Sequence, residues 1–293
     1  MTISYAERIL ASGPTCYWRL HEPGGATTAV NLGLAGSRLN GTYYGGKVDA
    51  TMRRPVGDIN AADLIPEAYV TGKGLNTAVN GRSNPFSDEW TIEAWFLRRT
   101  VVKWGGIFTN NNPGKGAPLL TFVEFSNRVG LNGSGLTVAN VSVDLGDVHF
   151  NEPIYAIVIK RGGNARGTAH FEIHASLQGR RLPPVMGTND EWDLVPQDSW
   201  DIGRHNSTKH YFDGQIADVA VYDRALREAE IGAHLETFTQ PAVLGPVTSL
   251  QQGIQDKVLP NLVAEAGRDQ WSNPAGADAE PIPDLEFDQT LRL

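Results

Sequence analysis

The chain holds a single cysteine, Cys16, among 293 residues, so no intrachain disulfide can staple it. Its stability must come from burial or from assembly, and Cys16 itself reads as a small buried side chain, a reactive thiol being the alternative. No run of about 20 apolar residues occurs, which leaves no candidate membrane-spanning helix. The opening Met-Thr-Ile-Ser-Tyr-Ala-Glu-Arg lacks a basic start, an apolar stretch and a cleavage pattern, so synthesis in the cytoplasm without export is expected. Basic residues are outnumbered, 25 against 33 acidic, for a formal net charge of -8. With only short basic pairs such as Arg53-Arg54, Arg98-Arg99 and Arg180-Arg181, neither nucleic acid nor an anionic membrane is expected as a partner. A Gly-x-Ser-x-Gly elbow, a phosphate-binding loop and metal-spaced cysteines are all missing, and with them sequence support for serine or cysteine nucleophile chemistry.

What the chain has in quantity is punctuation: 32 glycines and 17 prolines between short β-branched and aromatic runs, the texture of a turn-dense all-β domain. The stretch from Asp201 to Glu236 is the most informative. Asp213-Gly214 is a turn signal, and Gln215 to Tyr222 alternates around Ala217, Val219 and Val221, as a strand that closes a sheet would. The period then changes. Leu226, Ile231 and Leu235 are spaced for a short amphipathic helix over about 228–236, with Arg227 at the N-cap, Glu230 at N3 and Leu226 placed to staple onto Ile231.

Upstream, Trp90 to Phe96 should put Trp90, Ile92, Ala94 and Phe96 in a core and Thr91, Glu93 and Trp95 on the concave face of the sheet. Strands are expected at Gly105 to Thr109, Leu119 to Phe125, Arg128 to Leu131 and Thr137 to Asp144. A hairpin of Tyr155 to Lys160 and Thr168 to Ala175 is expected around Gly162-Gly163-Asn164. In it His170, Glu172 and His174 share one face, read as a solvated outer face, with a transition-metal site as the alternative.

The order of these motifs resembles the laminin-G-like, concanavalin A-like jelly-roll family. Tyr211 to Leu226 followed by Glu230-Ile231 resembles its closing segment. Tyr5, Ile9-Leu10, Pro14 and Tyr17-Trp-Arg-Leu20 followed by Glu22 resemble the first strand of its bacterial and bacteriophage members. Asn40-Gly-Thr-Tyr-Tyr-Gly45 resembles its Gly-Thr-Tyr hairpin, and Phe86 with Trp90 to Phe96 resembles the strand opening the second half. The resemblance implies an all-β, two-sheet antiparallel jelly-roll sandwich over 1–239. Two departures are visible: Glu152 to Val158 replaces a segment in which relatives often carry a tryptophan and paired histidines, and Ala217-Asp218 replaces the two acidic residues of a family-type calcium site.

Loops at one rim supply the candidate ligand-binding residues, Trp104, Asn110, Asn112, His205 and Asp213, by aromatic stacking and hydroxyl-directed hydrogen bonds. The loop Asn110-Asn-Asn-Pro-Gly-Lys-Gly116 could equally be ordinary turn chemistry. No resident cofactor or metal is expected; calcium is the one ion the loop carboxamides could take. Beyond Glu236 the texture changes to a Pro/Gly linker and a mostly irregular C-terminal extension, 240–293. There Trp271, Ile282, Leu285, Phe287, Leu291 and Leu293 are spaced like docking points on a neighbouring subunit. The acids Asp284, Glu286 and Asp288 lie in that extension, away from any sheet that could tune them, so glycan hydrolysis is not expected. The expected role is a structural or adsorption component of a bacteriophage virion, a minor tail protein present in multiple copies or as a homo-oligomer. It would bind other tail proteins through the extension and host cell-wall glycan through the jelly roll. A carbohydrate-binding module of a bacterial surface protein is the alternative.

Overall fold

A computed structural model describes residues 4–45, 47–52, 59–64, 67–73, 75, 89–101, 105–110, 119–122, 126–131, 141–147, 149–162, 167–192, 199–205 and 210–239. The extension 240–293, with its expected docking residues and acids, lies outside them, as do Trp104, Asn112, Phe86 and most of the 162–164 turn. Two antiparallel sheets face each other. The first has nine strands in the order β14 (Arg180–Arg181), β13 (Gly167–Leu177), β12 (Ile154–Arg161), β7 (Trp90–Arg98), β19 (Gly214–Tyr222), β5 (Ile59–Leu64) and β4 (Lys47–Met52). In the same sheet β1 (Cys16–Trp18) pairs with β19, and β15 (Val185–Trp192) pairs with β13.

The second sheet has eight strands, in the order β11 (Ser142–Asp144), β10 (Arg128–Leu131), β9 (Leu119–Phe122), β8 (Gly106–Asn110), β16 (Trp200–Ile202), β6 (Tyr69–Gly72), β3 (Gly41–Tyr44) and β2 (Thr28–Ala29). A two-stranded ribbon, β17 (Arg204–His205) with β18 (His210–Tyr211), completes the set.

Between the sheets lies one core in which Trp18, Trp90, Ile92, Phe96, Phe108, Val158, Trp200, Ile216, Val219 and Val221 are fully buried. The expected inward set on β7, Trp90, Ile92, Ala94 and Phe96, is there. The opposite face of β7 is not an open concave surface. Helix α1 (Tyr5–Ala11) and helix α2 (Glu228–Thr239) cover it. Tyr5, Ile9, Leu226, Ile231 and Leu235 bury with Trp95, Leu97, Tyr155, Ile157, Ala220 and Tyr222 in a second core. At about 1.5–3 kcal/mol for each large apolar side chain removed from water, that layer contributes substantially to stability. It also explains why every residue of β7 is buried, a both-faces pattern.

The helix termini follow from local chemistry. Ser4 and Glu7 form a reciprocal capping box, the Ser4 N–H donating to Glu7 Oε2 at 2.7 Å and the Glu7 N–H to Ser4 Oγ at 3.3 Å. At the start of α2 the Arg227 N–H donates to Glu230 Oε2 at 2.9 Å, and Arg224 grips the same carboxylate with both terminal nitrogens. Burial alone would raise the Glu230 pKa, but those donors hold it down at about 2.

The closing strand departs from simple alternation. Its register against β7 slips between Ala217 and Ala220, and Asp218 sits at φ 50, a β-bulge. Ala217 therefore joins Ala220 and Tyr222 beneath the helices, while Val219 and Val221 stay in the sandwich core. The bulge is held in place. Asp218 Oδ1 accepts from Tyr17 Oη at 2.7 Å and from Arg19 Nε at 3.3 Å, and its N–H donates to the Arg19 carbonyl.

Candidate functional site

The outer face of the eight-stranded sheet carries the exposed aromatic surface. In the β3–β6 ladder Tyr43 opposes Val70 on the core side, so Tyr44 and Tyr69, directly opposite one another, face outward. Their rings stack with centroids 5.0 Å apart at 10°. The Arg204 guanidinium lies 3.6 Å from the Tyr69 ring centroid, and Tyr211, its partner across the ribbon, has its ring centroid 6.1 Å from that of Tyr69. Arg204 is fixed from beneath. Its Nε and Nη2 each donate to a different oxygen of the fully buried Asp201, both at 2.9 Å, a bidentate pair that holds the guanidinium plane against the ring. Burial works against the charge of Arg204, but Asp201 outweighs it and the guanidinium pKa is raised.

Tyr44 is 48% exposed, a large aromatic side chain left in solvent at the edge of the stack. One rung along, Thr28 and Thr42 oppose each other and are both exposed, and Thr71 continues that row on β6. A ring face flanked by a row of hydroxyls offers stacking and hydrogen bonding side by side, the combination a sugar needs.

The residues expected at the rim are placed differently. Asn110 is not on a loop: it ends β8, is fully buried, and its Nδ2 donates to the Ser199 carbonyl at 3.1 Å. Asp213 is 8% exposed and committed to Arg99 Nη1 at 3.2 Å and Thr100 Oγ1 at 2.8 Å, so it organises the corner before β19. His205 lies in β17 rather than in a loop, adjacent to Arg204. His205 is thus next in the chain to a residue of the stack, but Tyr44, Tyr69 and Arg204 were not among the expected binding residues. A signal existed in Tyr43-Tyr44, since adjacent aromatics in a strand must point to opposite faces.

The face of His170, Glu172 and His174 is likewise not simply solvated. Glu172 and His174 are buried, with Glu172 Oε1 2.6 Å from His174 Nε2 and Oε2 accepting from Arg161 Nε at 2.7 Å. Burial disfavours the charge of Glu172, yet those donors leave its pKa below the usual carboxylate value. Burial pushes the His174 pKa down despite the neighbouring carboxylate.

Among the described residues no cluster of three or more metal-ligating side chains is assembled. At the end of β7 a cation-like position is filled by the chain itself: Arg98 donates to the carbonyls of His149 at 3.3 Å and Ser126 at 3.0 Å, and to Asn127 Oδ1.

Two facing antiparallel sheets with jelly-roll connectivity and an aromatic outer face define a lectin-like sandwich. Residues 71–232, more than half of the chain, match the laminin-G-like family model of the concanavalin A-like lectin/glucanases superfamily, and the chain belongs to that family. No curated protein matches the chain in sequence. Among solved structures, Trypanosoma rangeli sialidase in complex with 2,3-difluorosialic acid (covalent intermediate) aligns with a TM-score of 0.50 at 11% identity, over 78% of this chain and 33% of the sialidase. Domain 4 of AbnA, a GH43 extracellular arabinanase from Geobacillus stearothermophilus, in complex with arabinotriose, aligns at a TM-score of 0.48 and 14% identity, over 78% of this chain and 98% of that one. The chain spans about a third of the sialidase, and at these identities the likeness is one of fold.

Proposed function

We propose that this protein is a non-enzymatic glycan-binding jelly roll, carried as a minor tail component of a bacteriophage virion, with Tyr44 meeting host-surface sugar. The observation that carries the binding reading is the exposed Tyr44 ring, backed by Tyr69 and by a guanidinium locked to Asp201, beside the Thr28 and Thr42 hydroxyls. A pre-stacked ring has little rotamer freedom left to lose when a sugar lands on it. The virion assignment follows the resemblance of the opening segment, Tyr5 to Glu22, to bacterial and bacteriophage members of the family. Weak individual contacts would be compensated by several copies on one particle.

Binding rather than hydrolysis is favoured by the state of the acids. Retaining hydrolysis needs two carboxylates about 5–5.5 Å apart across a substrate cleft. Glu93 is fully buried beneath the helices, Asp218 is engaged by Tyr17 and Arg19, and Glu172 is paired with Arg161 and His174.

The test is a bacterial cell-wall glycan array probed with the wild-type chain and with Tyr44→Ala. A hit that weakens by about tenfold or more in the variant, a change of about 1.4 kcal/mol, is expected. Equal binding by both proteins would remove the stack from the reading. Reducing-sugar release from the same wall material would contradict the non-enzymatic assignment, and absence of the chain from purified virions by mass spectrometry would contradict the particle assignment.

A further inference from the structure

The opposite sheet carries a feature that the aromatic stack does not use. Where β12, β13 and β15 run side by side at the edge of the nine-stranded sheet, a groove of about 370 Å3 opens over Arg161, Glu172, Met186 and Thr188, with His170 at its side. That volume falls within the range of small-ligand sites, about 300–1,000 Å3. Register puts these side chains on one face, because Glu172 opposes Met186 on β15, and His170 opposes Thr188 on one side and Arg161 on the other. The hairpin pattern read from the sequence had grouped His170, Glu172 and His174. Pairing with β12 and β15 changes the group, since His174 is buried against Glu172 and the exposed partners come from the neighbouring strands.

The inventory of free valences is specific. Arg161 spends only Nε on Glu172, and among the described residues neither of its terminal nitrogens has a partner. Glu172 accepts from Arg161 and His174, two of the roughly four lone-pair sites a carboxylate offers. The His170 imidazole and the Thr188 hydroxyl have no hydrogen-bond partner among the described residues, and Met186 is 72% exposed, the most exposed large apolar side chain described. The charges of Arg161 and Glu172 offset each other, and burial pushes the His174 pKa down although Glu172 pulls it up. The groove therefore combines donors and acceptors in alternation, with the Arg161 charge paired to Glu172 and one soft apolar side chain alongside.

We infer that this groove is a second ligand site, independent of the tyrosine stack, for an uncharged sugar bearing adjacent hydroxyls. Each hydroxyl both donates and accepts, so a vicinal pair can take hydrogen bonds from the Arg161 terminal nitrogens while giving them to Glu172. Thr188 and His170 are placed to address a third hydroxyl, and the Met186 thioether packs against the C–H face of the ring. An anionic sugar would meet the Glu172 carboxylate directly, with Arg161 already paired to that carboxylate and Arg181 on the other side of the His174 ring, 3.5 Å from Nδ1. The inference rests on the glycan reading above but uses none of its residues, so the protein would hold sugar on both outer faces and could bridge two chains of a wall polymer.

The chain has 3 methionines, and of the two described, Met52 is fully buried and Met186 is in the groove. Methyl-labelled methionine therefore provides a reporter at the site. Titration of the full chain with methyl α-mannopyranoside, which carries a cis-vicinal diol, should move the Met186 methyl resonance saturably in the millimolar range while that of Met52 stays fixed. The 2-deoxy analogue, and the Arg161→Gln protein with the full sugar, should each require at least about tenfold more ligand. In the Tyr44→Ala protein the Met186 response should be unchanged, so loss of array binding with a persisting Met186 shift separates failure of the stack from success of the groove. No saturable movement with any neutral glycoside would overturn the site. A stronger response to methyl glucuronide or inorganic phosphate than to the neutral sugar would overturn the ligand class, and loss of the response in Tyr44→Ala would overturn independence.

Discussion

Replacing Glu93 with alanine is expected to lower the unfolding free energy by about 3–5 kcal/mol, read from the midpoint of a urea titration. Glu93 is fully buried on the helix-covered face of β7, where it accepts hydrogen bonds from the hydroxyls of Tyr155 and Tyr222 and lies 3.2 Å from His234 Nδ1 of α2. The other ring nitrogen of His234 is 2.9 Å from Ser12 Oγ, so one carboxylate ties β7, β12, β19 and α2 together and reaches the end of α1 through the imidazole. Alanine would leave two phenols and an imidazole buried without their acceptor, which costs more than the loss of the bonds themselves. Glutamine keeps one acceptor oxygen and should cost less. If alanine shifts stability by under about 1 kcal/mol, the network is not what fastens the helices.

The same network gives a pH dependence of defined sign. Burial opposes the charge of His234, but Glu93 outweighs it and raises the pKa above the ordinary 6.5. A raised histidine contributes stability that is fully present below its unfolded pKa and is lost as pH rises through the folded value. The stability gap between wild type and His234→Gln should accordingly shrink as pH is raised from about 6 to about 9. A gap that widened would reverse the assignment.

Trp200→Ala should be comparably severe, at about 3–5 kcal/mol, because it removes the centre of the sandwich core. The Trp200 ring centroid is 4.1 Å from that of Trp18 and 6.4 Å from that of Phe108. The adjoining strands are cut to fit it, since a Cβ on Gly72 would fall 2.3 Å from the Trp200 ring and one on Gly41 2.7 Å from it. Trp200→Phe should lose markedly less. Among the described residues the buried indole N–H has no acceptor, so phenylalanine gives up volume but also removes an unsatisfied donor. Equal losses for alanine and phenylalanine would show that the site depends on the full width of the indole.

Much of this architecture was legible in the chain. The inward set of β7 followed from alternation, and α2 followed from the spacing of Leu226, Ile231 and Leu235 with Glu230 at N3. Helix α1 was also written, in Ser4 and Glu7, but its short span lay inside a segment resembling a first strand. The bulge at Asp218 was not legible, because no glycine marks it and its φ of 50 is stabilised by Tyr17 and Arg19, distant in sequence. Burial of the outer face of β7 was hidden for a related reason: period-2 alternation says which residues share a face, and only the docking of both helices says that the face is covered. The surface proposed to bind was the least readable. Tyr44, Tyr69 and Tyr211 come from three separate segments, and only strand pairing brings them together.

The guanidinium of Arg98, to which the His149 and Ser126 carbonyls and the Asn127 side-chain oxygen converge, has a consequence for the medium in which the protein works. A dissociable ion in that position would leave on dilution or be stripped by a chelator, and the corner would loosen with it. A positive charge covalently attached to β7 can do neither, so no sequestrant can strip the charge that joins this end of the sandwich.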